Sequence, residues 1–191
     1  MTHLEIEAKF KVEDIDRLKS RLLELGLKSS GEELQHSIVF DYPDGRFRKD
    51  WTVFRLRKNG DKGRITFKEP DEGKLASVRK EIEIKVSDFE NTKHIIRKLG
   101  FVESFVYEKF RENFFGEGFV ISVDRNPFIG NYFEIEAGSE DRFMEVMKIL
   151  GLNKEDVIKD NYRQVFEEYC RQKNINVNNM TFEEEKALKS K

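Results

Sequence analysis

Glu5-Ile6-Glu7-Ala8-Lys9, near the start of the chain, alternates charged and apolar side chains with a period of two. A β-strand sends successive side chains to opposite faces. The pentad therefore sets two carboxylates and an ammonium on one face, with Ile6 and Ala8 on the other. Alone it would describe any half-buried strand with a wetted polar side. The pattern recurs, however. Arg55 and Arg57 alternate with Phe54 and Leu56, and Thr66 and Lys68 with Ile65 and Phe67. Arg79, Glu81, Glu83 and Lys85 alternate with Val78, Ile82, Ile84 and Val86, Lys80 being the exception on the apolar side. Lys109 and Arg111 flank Phe110. Asp124 ends a run whose other face carries Phe119, Ile121 and Val123, and Glu134 and Glu136 alternate with Phe133 and Ile135.

Two architectures can hold such strands. In an open sheet the charged face meets water, and each cross-strand ion pair contributes only about 0.2 to 1 kcal/mol. In a closed barrel with its apolar face turned outward under helices, the same charges line one shared lumen. Composition favours the barrel: hydrophobic residues make up 38% of the 191, with 17 Phe, enough for an ordinary core. Amphipathic helix patterns over residues 13–25, 87–99, 139–150 and 160–172 supply the outer layer. Ser87, Ser139 and Asp160 suit their N-termini, and Gly26, Gly100 and Gly151 their C-termini. A strand–helix–Leu-Gly unit recurs at Glu5–Gly26, Glu81–Gly100 and Glu134–Gly151. Pro43-Asp44-Gly45, Asn59-Gly60-Asp61-Lys62-Gly63 and Asp71-Glu72-Gly73 have hairpin-loop composition. The expectation is an α+β fold: a closed β-barrel of about eight strands with helices packed outside.

The pattern predicts one domain over residues 1–172 and a polar tail over 173–191. Frayed structure is the default for such a tail, although Thr181 and Glu184 could cap a last short helix. The single cysteine, Cys170, permits no internal disulfide and fits a cytoplasmic setting. No run approaches the roughly 18 apolar residues that span a bilayer, and the N-terminus lacks a signal-peptide core. A net charge of -2 gives no global attraction to nucleic acid or acidic membranes.

A lumen rich in Lys and Arg needs anions among its cations. A polyphosphate meets that need, taking bidentate hydrogen bonds from Arg and point charges from Lys. Carboxylates beside phosphates in turn require a cation between them, and oxygen-only ligands suit Mg2+ or Mn2+. His3, His36 and His94 lack metal-ligand spacing, which argues against zinc, and no Walker or Rossmann glycine pattern is present.

The ordered series Glu5-x-Glu7-x-Lys9, Arg55-Leu56-Arg57, Thr66-Phe67-Lys68, Arg79 with Glu81 and Glu83, Lys109-Phe110-Arg111, Asp124 and Glu134-Ile135-Glu136 resembles the CYTH superfamily of triphosphate tunnel metalloenzymes. That resemblance covers about residues 1–170 and implies an eight-stranded antiparallel tunnel. It implies metal ligands at Glu5, Glu7, Glu134 and Glu136, with Asp124, Glu81 and Glu83 assisting. Phosphate binding would fall to Lys9, Arg55, Arg57, Lys68, Arg79, Lys109 and Arg111, and catalysis would centre on Lys9, Glu5, Glu7 and Glu136. The implied activity is metal-dependent hydrolysis of inorganic or nucleoside triphosphate. Its alternatives are a class IV adenylyl cyclase forming cyclic AMP and pyrophosphate, and a non-catalytic polyphosphate- or nucleotide-binding module. The expected partner is a small-molecule triphosphate, with no nucleic acid or membrane and with room for a homodimer. One departure stands out: thiamine triphosphatases of the family carry Asp-Thr-Tyr-Tyr-Asp in the second strand. Ser37-Ile38-Val39-Phe40-Asp41 here puts Val39 where their first tyrosine works with the pentad lysine, which argues against that specialisation. Phe101, Phe105, Tyr107 and Tyr132 could stack on a base, but strand aromatics are more often core.

Overall fold

In the computed structural model of the chain, the pentad lies within β1 (Thr2–Lys11), which pairs with β8 (Gly130–Ala137) on one side and β5 (Ser77–Val86) on the other. The structure describes residues 2–60, 62–70 and 76–190, and of residues 2–5 the backbone only. The Asp71-Glu72-Gly73 turn, Asp61 and the side chains of His3 and Glu5 therefore lie outside the described residues. The other strands are β2 (Lys28–Asp41), β3 (Val53–Asn59), β4 (Lys62–Lys68), β6 (Val102–Gly116) and β7 (Phe119–Asn126). All neighbours are antiparallel, and the order β1-β5-β4-β3-β2-β6-β7-β8 returns to β1 as a closed barrel. Closure pairs each strand on both sides and removes the end strands of an open sheet.

The alternation resolves as the barrel reading requires. Ile6, Ala8 and Phe10 point outward into a buried cluster with Leu22 of α1 (Ile15–Glu24) and with Phe143, Val146, Met147 and Leu150 of α4 (Glu140–Leu150). Each such buried side chain contributes about 1.5–3 kcal/mol. Ile38, Phe40 and Leu56 meet Ile96 of α3 (Phe89–Lys98), and Phe105, Tyr107, Phe128 and Tyr132 meet Tyr162 and Phe166 of α5 (Tyr162–Lys173). Helices do not cover the whole wall, since Ile82 and Ile84 of β5 are 47% and 53% exposed.

Local details depart from expectation. Asp88, not Ser87, caps α3, because its carboxylate accepts from the Asn91 N–H at 2.9 Å while Ser87 stands one residue too early. Asn161, not Asp160, caps α5, accepting from the Gln164 N–H at 3.0 Å, and Gln164 returns a bond to the Asn161 N–H. The Pro43-Asp44-Gly45 turn is no plain hairpin. It leads into a one-turn helix, α2 (Arg46–Lys49), held by Asp41, whose oxygens accept from the Phe47 and Arg48 N–H groups at 2.9 and 3.0 Å.

Five helices share one C-terminal geometry, in which a residue at or just after the cap takes the left-handed conformation and its N–H bonds to the carbonyl three residues back. Gly26, Gly100, Gly151 and Asn174 take that position after α1, α3, α4 and α5. After α2 it is taken by Trp51, at φ 60°. There the Trp51 N–H reaches the Arg48 carbonyl and the Thr52 N–H the Phe47 carbonyl, at 3.3 and 2.9 Å. A side chain with a Cβ costs about 1–2 kcal/mol in this region.

The tail is docked, not frayed. β6 pairs with β2 throughout, but with β7 only from Phe110 onward, so residues 102–109 have one backbone edge to satisfy. Residues 179–182 do so. The Glu108 N–H donates to the Met180 carbonyl and the Met180 N–H to the Val106 carbonyl, both at 2.9 Å, while Asn179 Oδ1 accepts from the Val106 N–H at 3.0 Å. Phe182 opens α6 (Phe182–Lys189) and packs tilted against Phe110 with ring centroids 5.1 Å apart. The expected capping box is half-formed: Thr181 accepts from the Glu184 N–H, but Glu184 turns to Asn179. Met180 is fully buried. Met180→Ala is expected to cost about 2–5 kcal/mol in denaturant unfolding, and an unchanged midpoint would mean that the tail does not dock in solution.

Candidate functional site

The barrel encloses a cavity of about 840 Å3. Its wall carries Glu7 and Lys9 from β1, Arg55 and Arg57 from β3, Lys68 from β4, and Arg79, Glu81 and Glu83 from β5. β6 supplies Lys109 and Arg111, and β8 supplies Glu134 and Glu136. Parity along each strand brings them together: register places Glu7 opposite Glu136, Lys9 opposite Glu134, and Lys68 opposite Glu81.

Asp124 of β7 differs from the other acids. It has no exposure and reaches no cavity surface. Its Oδ2 accepts from Lys109 Nζ at 2.9 Å and from the Tyr162 hydroxyl at 2.6 Å, and its Oδ1 accepts from Arg111 Nε at 2.6 Å. Arg111 also bonds Glu134, which lies 3.1 Å from Lys9. Burial would push the pKa values of Asp124 and Glu134 up, but the cations of Arg111 and Lys109, joined by Lys9 at Glu134, outweigh it and hold both carboxyls below the usual carboxylate range. Burial and the neighbouring Arg111 bring Lys109 down to about 8, against the pull of the two carboxylates.

The remaining charges are held on a second level of polar contacts. Lys68 lies 2.9 Å from Glu81 and 3.8 Å from Glu7, and Glu83 pairs with Arg64. Arg55 donates to the Tyr107 hydroxyl and to Thr66, each at 3.2 Å, and Arg57 donates to Ser37 at 3.3 Å. Arg79 donates to Ser77 at 2.9 Å. Burial would raise the Tyr107 phenol, yet Arg55, Arg57 and Lys109 pull it well below its ordinary value. Tyr162 moves the other way, pushed well up by burial and by Asp124 and Glu134.

Carboxylate oxygens are the kind of donor that a hard divalent cation takes. Glu7 and Glu136 face each other across paired strands, with Lys68 3.8 Å from Glu7. Among the described residues no three acidic, His or Cys side chains converge. Two carboxylates with phosphate oxygens completing the shell is the usual pattern for Mg2+.

Several lining residues escaped the sequence reading. Tyr162 sits with its ring centroid 4.3 Å from Lys9 Nζ and 4.7 Å from Lys109 Nζ, so a helix supplies the tyrosine beside the pentad lysine. In sequence it looked like one member of an amphipathic stripe. Phe105 and Tyr107 line the cavity, as their parity with Lys109 required, whereas Phe101 belongs to the outer cluster with α3. Tyr132 is buried edge-on against Tyr162. Trp51, Arg48 and Arg163 stand in the wall with no motif to announce them.

A CYTH domain model matches residues 3–162. The chain is 30% identical over 171 residues to a candidate adenylate cyclase of Methanocaldococcus jannaschii, covering 85% of this chain and 98% of that protein. A solved Pyrococcus horikoshii protein superposes with a TM-score of 0.73 at 28% identity, covering 84% of this chain and 98% of its own. A Hippeastrum protein, studied as a candidate adenylyl cyclase and described as having a dominant triphosphatase activity, shares the fold at 16% identity. Its TM-score is 0.63, with 93% of this chain and 98% of that chain covered. Among the described residues no helix is long and apolar enough to cross a membrane. With the pentad, the ordered basic strands and the closed charged cavity matched along most of its length, the chain belongs to the CYTH domain family.

Proposed function

We propose that the chain is a divalent-metal-dependent enzyme that hydrolyses inorganic or nucleoside triphosphate inside the barrel. The observation that carries this reading is the convergence of seven cations from five strands on one enclosed cavity that also holds an opposed carboxylate pair. Lys9, Arg55, Arg57, Lys68, Arg79, Lys109 and Arg111 bind phosphate oxygens, and Arg forks fix their orientation. Glu7 and Glu136, with Glu5, would hold Mg2+ or Mn2+. A cation held there would supply charge neutralisation for the triphosphate and a lowered pKa for the attacking water. Glu134 and Asp124 fix Lys9, Lys109 and Arg111 in place before the ligand arrives, so little reorganisation accompanies charge build-up on the equatorial oxygens. Glu81 and Glu83 set Lys68 and Arg64 in the same way.

Cyclisation of ATP is the second reading, favoured by the 30% identity to a candidate adenylate cyclase. It uses the same clamp but places the α-phosphorus beside the nucleophile. Products separate the two: orthophosphate for hydrolysis, cyclic AMP with pyrophosphate for cyclisation. Purified protein with tripolyphosphate or ATP and Mg2+ or Mn2+ is expected to release orthophosphate, and EDTA to abolish turnover. Tight binding without turnover would mean a non-catalytic module. Lys9→Ala and Glu136→Gln are each expected to lower kcat by about 100-fold or more, and full activity in both would end the assignment.

Lys109 adds a pH signature. A bound polyanion favours the charged lysine, which exists already below its pKa of about 8 and must be regained by proton uptake above it. Tripolyphosphate affinity is therefore expected to hold up to about pH 8 and then fall by as much as about tenfold per unit. Lys109→Arg, charged throughout, should flatten the fall in a calorimetric titration, and an unaltered slope would discharge Lys109 from this role.

A further inference from the structure

Trp51 is the one tryptophan of the chain and is 53% exposed on the wall of the catalytic cavity. It occupies the left-handed position that the chain gives to glycine or asparagine at the ends of four other helices. Phe128 provides the contrast. It also has a positive φ, at 65°, but its ring is buried against Phe166 and Tyr169, and that packing offsets its backbone. Trp51 holds an unfavourable backbone conformation while leaving half of a large apolar ring in water, so neither the fold of the turn nor the core accounts for it.

What accounts for it is placement. The bonds from the Trp51 and Thr52 N–H groups back to α2 fix the start of its side chain relative to the barrel wall. Arg48 and Lys49 flank it on α2, and Phe105, with the Arg163 guanidinium 5.2 Å from its ring centroid, lines the same cavity. Glu167 pairs with Arg48 and Arg163, each at 2.9 Å, Lys49 reaches the Asp44 carbonyl, and Asp41 lines the same cavity. An exposed indole beside a polyphosphate cavity is suited to stack on a planar group attached to that polyphosphate.

We propose that Trp51 is a stacking platform for the neutral heteroaromatic base of a nucleoside triphosphate whose phosphates lie among the barrel cations. The inference rests on the triphosphate reading of the cavity and adds the class of head group. It makes Trp51 a specificity residue that discriminates nucleotide from bare polyphosphate.

The single tryptophan makes the test direct. The full chain is titrated with ATP and with tripolyphosphate, both with Mg2+, following indole fluorescence and heat. ATP should quench the emission, and tripolyphosphate should change it far less. Trp51→Gly should weaken ATP binding by about tenfold and leave tripolyphosphate within about twofold. Because glycine suits the left-handed turn, that variant should melt no lower than the wild type. Trp51→Phe, which keeps a ring, should retain much of the ATP affinity. Unaltered ATP affinity in Trp51→Gly, or equal weakening of both ligands, or a lowered melting temperature would overturn the proposal. Failure of wild-type protein to bind tripolyphosphate would instead remove the triphosphate reading beneath it, and the two failures are thereby told apart.

Discussion

The structure depends on the double pairing of β1. Held by β5 on one edge and β8 on the other, it converts a twisted sheet into a ring and decides which side of every strand is interior. A shift of one residue in either pairing would turn Ile6, Ala8 and Phe10 into the lumen and Glu7 and Lys9 under the helices. The register is thus enforced by two opposing preferences, apolar burial outside and charge pairing inside.

Charges gathered at this density have to be organised, and Asp124 is where that happens. It takes hydrogen bonds from Lys109, Arg111 and Tyr162 in a site with no solvent exposure. A buried ion cluster of this kind gains little net stability over an apolar equivalent, but loss of one member typically costs about 3–5 kcal/mol, because the partner charges are stranded. Its value lies in geometry. Arg111 bonds both Asp124 and Glu134, so one anchor aligns side chains from β6, β7 and β8.

Much of this was legible in the sequence because period-two alternation is a local signal that survives in the barrel. Of the residues singled out from the pattern, Glu7, Lys9, Arg55, Arg57, Lys68, Arg79, Glu81, Glu83, Lys109, Arg111, Glu134 and Glu136 all reach the cavity. Asp124 has the right parity but lies beneath the surface, since parity gives a face and not a depth. Tyr162 was hidden because a helix enters the wall, and its helical spacing is the same whether the partner is core or cavity. The docked tail was missed because the need it meets, the short pairing of β6 with β7, is a property of the sheet and leaves no mark on residues 174–180. Trp51 was invisible for a similar reason: a positive φ is not written in the identity of a tryptophan.

The distance along the chain between the edges that β1 joins has a consequence for biosynthesis. Its partners lie at residues 77–82 and 132–137, so the ring cannot shut until the ribosome has delivered β8 as well as β5. Until then the nascent sheet offers open backbone edges and an unmatched apolar outer face, and loop closure over such spans is slow. β1 is held in waiting for β8, the last of the eight strands, and shielding during that interval falls to whatever meets the emerging chain.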